Sequence, residues 1–136
     1  MGPSSERKRP GEVELKRPAP GLLEVGFKGY VNGAIIGRGD ALVAEAFAVG
    51  KVKVIVFDAI GITGFDGTVR GPGLSLLQRV RKSGAVAVIA VTSTSVRMMA
   101  TAIAFAAGLT MRVVATRGEA DGFARDELAR ATEARP

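Results

Sequence analysis

The chain contains no cysteine and no histidine. Those two absences exclude disulfides, thiol nucleophiles, Ser-His-Asp triads and every zinc site built on Cys or His ligands. Catalysis would have to rest on Asp, Glu, Lys, Arg or Tyr, or on a bound cofactor, and no motif in the chain calls for a cofactor. Tryptophan is missing too, and the aromatic set is six Phe plus a single Tyr, Tyr30. The core must therefore be packed mainly from aliphatic side chains. No apolar run is long enough to span a membrane, and the stretch from Val96 to Leu109 is interrupted by Arg97. No charged-then-apolar leader opens the sequence, so the cytoplasm is the expected location.

Positive charge is present but not concentrated. The formal net charge is +6. Arg7, Lys8, Arg9, Lys16 and Arg17 face Glu6, Glu12 and Glu14 near the start, and the other cations are spread over several elements. No aromatic residues interleave with them to stack bases. A solvated surface with a basic tail is expected, and no nucleic-acid partner.

With 136 residues and 47% hydrophobic content, the chain has room for one domain and a tail. Residues 1–11 (MGPSSERKRPG) read as a disordered basic tail, and 12–133 as the domain. Residues 12–17 and 22–31 read as an edge hairpin around the turn PAPG, with Leu23, Val25, Phe27 and Val31 on one face. A helix follows, reaching at least from Asp40, a candidate N-cap, to Gly50. Residues 51–57 form a strand whose consecutive Val54, Ile55, Val56 and Phe57 imply burial on both faces. A helix over 74–82, a second buried strand over 85–92, a helix over 93–108, a third buried strand over 111–116 and a last helix over 117–133 complete the chain. Alternating strands and helices imply an α/β fold with a mostly parallel sheet, right-handed crossovers and about four helices.

The polar join TGFDGT, residues 63–68, follows the buried strand. Loops at the carboxyl ends of strands are where ligands and partners gather in such sheets. Asp58 precedes this loop and Asp66 lies within it, and the two invite comparison with an acid/base pair, although no His or metal-ligand cluster accompanies them. Thr68 lies near the start of the next helix, and Asp66 or Thr68 could equally serve as its cap. Pro72 makes a regular helix from Gly67 unfavourable, leaving 67–71 as an exposed loop or a distorted turn. The glycines of GAIIGRG, 33–39, match neither the dinucleotide nor the phosphate-loop pattern. On the 93–108 helix, Val96, Met99, Ala100, Ile103 and Ala107 form a sheet-facing stripe. Met98, Ala102 and Phe105 form a second apolar stripe that suits contact with another protein.

From VELKRP through VIVFDAIGITGFDGTVRGPGLSLLQRVRK and AVAVIAVT to MRVVAT, the chain resembles the STAS family of sulfate transporters and anti-sigma factor antagonists. The resemblance spans roughly residues 12–132 and is strongest at GITGFD. It implies a STAS-like domain that binds protein and does not catalyse a reaction. In the family the loop reads like F-I-D-S-S-G, and a partner kinase that doubles as an anti-sigma factor phosphorylates the second serine. By position, Asp66 matches the Asp, Gly67 the first Ser and Thr68 the phosphoacceptor; the chain departs from the pattern at Gly67, Val69 and Pro72. The expected partner-binding loop is the hinge with its neighbours: Asp58, Thr63, Phe65, Asp66, Gly67, Thr68 and Arg70. The kinase or anti-sigma factor is the implied partner. Two alternatives stand beside it: a homo-oligomer assembled through the 93–108 helix, and a small nucleotide-binding protein.

Overall fold

The computed structural model describes residues 10–133. The expected tail lies outside the described residues up to position 9; Pro10 already forms an isolated bridge to Tyr30. Strand β1 (Glu12–Ala19) pairs antiparallel with β2 (Leu22–Val31), with Val13 opposite Phe27 and Leu15 opposite Val25. Strands β3 (Val54–Phe65), β4 (Val86–Ala90) and β5 (Met111–Val114) continue the sheet in the order β1-β2-β3-β4-β5, all parallel from β2 onward. Helices α1 (Gly33–Val49), α2 (Arg70–Ser83) and α3 (Thr94–Ala107) are the crossovers, and α4 (Arg117–Glu133) follows β5.

Because the strands lie in chain order, right-handed crossovers carry α1, α2 and α3 to the same face of the sheet. Leu23, Val25, Phe27, Ile55, Phe57 and Ile89 pack there against Ile36, Val43, Leu76, Val80 and Ile103. The residues between them on the strands point the other way. Val54, Val56, Val88 and Ala90 are covered by Ala120 and Ala124 of α4. Burial on both faces explains the unbroken apolar runs of β3 and β4. Arg112, on this second face, stands 5.3 Å from the centroid of the Phe123 ring.

Helix α1 and strands β3 and β5 differ from the sequence expectation. Helix α1 starts at Gly33, capped by the Asn32 side chain, so Asp40 is in mid-helix. There it accepts 2.7 Å hydrogen bonds from Ser75 and Arg79 of α2. The glycines of α1 are tolerated because packing favours one of them: a Cβ at Gly39 would stand 3.2 Å from the Phe27 ring. Gly50 leaves the helix in an extended conformation (φ −177°) and not as a left-handed cap. Strand β3 does not stop at Asp58 but runs on to Phe65, held by an equally extended β2. Strand β5 is an edge strand that is only partly buried. Helix α3, by contrast, has the expected ends, with Ser93 capping the Val96 N–H and Gly108 in the left-handed region at φ 73°.

On the α4 face, Arg117 gathers three carboxylates: Glu24 from β2, Asp58 from β3 at 2.9 Å, and Asp121 one turn further along α4 at 3.1 Å. Burial works against the Arg117 charge. Hydrogen bonds to Asp58 and Asp121 and the charges of Glu24 and Asp121 outweigh it, so its pKa lies above the ordinary guanidinium value. Glu24 is the buried charged residue among the described residues. This cluster ties α4 to the two central strands. Replacing Arg117 by Leu is expected to cost about 2 kcal/mol, less than the roughly 3–5 of a fully buried pair because the side chain is 36% exposed. Urea unfolding checks this. The loss should shrink in Arg117→Leu/Glu24→Gln/Asp58→Asn, and an unchanged midpoint in the single variant would contradict it.

Candidate functional site

Strand β4 pairs with β3 only from Val54 to Asp58. Beyond that point β3 is paired with β2, through Tyr30 opposite Gly64 and Val31 opposite Phe65. The two strands thus outrun their neighbour and deliver two loops to one place. One loop carries Asn32 and Gly33 into α1. The other carries Asp66, Gly67 and Thr68 into α2.

Each loop is fixed by a short polar side chain. Asn32 Oδ1 accepts the Ile35 N–H at 3.1 Å. Asp66 Oδ1 accepts the Thr68 N–H at 3.0 Å, capping a single 3-10 turn, Gly67–Val69, that runs directly into α2 at Arg70. The distorted turn that Pro72 implies is shorter than the expected 67–71, because α2 already includes Arg70 and Gly71 and starts ahead of the expected 74. As the third residue of α2 the proline is accommodated in the first turn, where its missing N–H has no partner to lose.

Thr68 joins the two loops. Its hydroxyl donates to Asp66 Oδ1 and accepts the Gly33 N–H at 2.8 Å. Gly33 is required for that approach, since a Cβ there would stand 2.5 Å from the Thr68 carbonyl oxygen. Asp66 Oδ2 accepts the Tyr30 hydroxyl at 3.3 Å. The Tyr30 ring lies against Gly64, where a Cβ would be 3.2 Å from it. Burial, and then the charge and hydrogen bond of Asp66, raise the Tyr30 pKa above its ordinary value, so the phenol remains a donor at neutral pH. Sequence reasoning passed over Tyr30, Asn32 and Gly33. The available signal was a lone tyrosine closing an alternating strand, followed by Asn-Gly.

Of the candidate residues, Thr63, Gly67, Thr68 and Arg70 are exposed, and Asp66 is half-buried. Phe65 packs against the core and Val69 is buried, anchoring the turn. Asp58 is elsewhere: it points to the α4 face and binds Arg117. The two aspartates therefore have separate partners and form no acid/base pair. A Cβ at Gly67 would meet nothing within 4 Å, so the backbone leaves room for a serine there. On α3, Met98 and Phe105 are 66% and 87% exposed, with Ala102 exposed between them.

No family model and no curated protein matches the chain. Solved structures do. The unphosphorylated form of the anti-sigma factor antagonist SpoIIAA matches with a TM-score of 0.63 at 18% identity, over 83% of this chain and 97% of that one. An uncharacterized protein of the DUF3478 family from Shewanella loihica, with a SpoIIAA-like fold, matches with a TM-score of 0.60 at 11% identity, over 84% of this chain and 93% of that one. The fold is STAS-like, as the resemblance in the sequence implied. Among the described residues no helix is long and apolar enough to cross a membrane.

The close approach at Gly33 gives a direct test of the loop geometry. Gly33→Ala should displace the 66–69 turn from α1 and cost about 1–3 kcal/mol, although alanine is the better helix former. Amide exchange at Gly33 and Thr68 checks it. A stabilised protein with unchanged exchange would contradict the contact.

Proposed function

We propose that this chain is a non-catalytic protein-binding module whose contact surface is the 63–70 loop with the adjoining start of α1, and that Thr68 is its phosphoacceptor. The observation that carries the reading is the position of Thr68. Its side chain is exposed at the carboxyl edge of the sheet. Its hydroxyl at the same time holds the two loops that form the surface together.

A phosphate on Thr68 would act on both loops. It removes the proton donated to Asp66 and adds about −1.5 to −2 charges beside that carboxylate. It also lies at the N-terminus of α1, where the Gly33 N–H and the helix dipole favour an anion. Phosphorylation then drives the Thr68 side chain away from Asp66 and toward α1, and the exposed Arg70 is near in sequence to compensate it. The turn that a partner contacts is rearranged, and the partner leaves. The fold likeness to an anti-sigma factor antagonist in its unphosphorylated form supports this reading. A cytoplasmic protein kinase or anti-sigma factor is the partner it implies, and the 12–133 segment is the functional unit.

Capture from a cell lysate with wild type, Thr68→Ala and Thr68→Glu, followed by mass spectrometry of partners and phosphosites, tests the switch. A partner retained by wild type and Thr68→Ala but lost with Thr68→Glu is expected. Identical partners with all three baits, and no phosphate on Thr68, would sink it.

A second reading rests on the exposed Met98, Ala102 and Phe105 of α3. An 87% exposed phenylalanine on a helix of small residues suits self-assembly. Sedimentation should then show a dimer that Phe105→Glu returns to monomer; a wild-type monomer at high concentration removes this reading.

A further inference from the structure

The opposite end of the sheet carries a second surface. Strand β3 is 12 residues long, so its two ends are separated by roughly 35 Å. At its start, between the C-terminal ends of α1 and α2, lies a groove of about 400 Å³. Phe47 and Val52 supply its apolar lining, and Lys51, Arg79 and Lys82 supply its charge. Among the described residues no acidic one lines it. Arg17 borders it, its guanidinium 3.8 Å from where a Cβ of Gly50 would be.

Two helix C-termini would ordinarily bring partial negative charge to this place. Here the protein satisfies some of these carbonyls itself. Arg17 donates to the Ala46 carbonyl at 2.9 Å, the Ser83 hydroxyl donates to that of Val80, and the Gly84 N–H donates to that of Arg81. Arg79 is held by Asp40 at 2.7 Å. Lys51 and Lys82 are exposed, and among the described residues neither side chain has an ion pair or hydrogen bond. Val49, 78% exposed, extends the apolar surface beside them.

We infer that this groove is a second docking site, for an acidic protein segment that places an apolar side chain over Phe47 and its carboxylates at Lys51 and Lys82. Charge complementarity selects an acidic occupant. The concave shape and half-buried Phe47 select a protein segment over a flat lipid surface, which would not enter the groove. A nucleic acid would require a longer cationic track with stacking aromatics. The site is independent of Thr68 and leaves both ends of the sheet available at once.

The test is a titration with a short fluorescein-labelled peptide repeating Glu-Glu-Leu, followed by anisotropy and by amide chemical-shift mapping. Shifts confined to about residues 47–53 and 79–84 are expected, with binding that weakens as salt is added. Lys51→Glu/Lys82→Glu should weaken binding about tenfold or more, and Lys51→Ala/Lys82→Ala by less. Arg38→Glu/Arg97→Glu changes net charge equally at exposed positions outside the groove and should leave binding intact. Shifts elsewhere, equal loss in the Arg38/Arg97 variant, or preferential binding of phosphatidylglycerol vesicles or a DNA duplex by the same residues would each overturn the proposal.

Discussion

One hydroxyl group links the two loops on which the candidate site depends. Thr68 donates to Asp66 and accepts from the Gly33 N–H, so a side chain on the β3–α2 loop closes onto the first turn of α1. Both of its hydrogen-bonding roles are filled from within the protein. Both hydrogen bonds are open to solvent, so each contributes at most about 0.5–1.5 kcal/mol, and together they tie the position of each loop to that of the other. Tyr30 adds a third tie through the second oxygen of Asp66. A chemical change at Thr68 is therefore felt on two loops, and the surface they make has reason to respond as one unit.

The scaffold beneath this junction is asymmetric. Three helices on one face and one on the other leave α4 with few apolar partners, and the small Ala120 and Ala124 bring it close to the sheet. Arg117 supplements that contact by satisfying Glu24 and Asp58 on the central strands. Asp58 thereby belongs to the frame and Asp66 to the surface, although the two are only eight positions apart in the sequence. The difference follows from the strand period: residue 58 shares the α4 face with Val54 and Val56, and β3 continues for a further stretch before the chain turns.

Much of this architecture was legible in the sequence. Ser93 and Gly108 bracket α3 with side-chain chemistry and a left-handed glycine, so its ends could be read locally. The hairpin was legible from alternation, and the parallel strands from unbroken apolar runs. What escaped notice depended on distant partners. The segment from Gly33 to Gly39 has poor helical propensity, yet it is helical, with Gly39 packed against Phe27 of strand β2. Gly61 and Gly64 weaken any strand reading of the end of β3, whose extension comes from pairing with β2. The TGFDGT join was visible as a polar interruption. Its contacts with Tyr30 and Gly33 were not, because they lie more than thirty positions away, where no local periodicity reports them.

The most direct test of the central claim is an exchange footprint. Amide hydrogen exchange would be compared between the free protein and the complex captured through wild-type bait. Slowed exchange at residues 33–34 and 66–70, with 98–105 unchanged, is the expected result. Protection confined to 98–105, with the Thr68 loop exchanging as in the free protein, would contradict it.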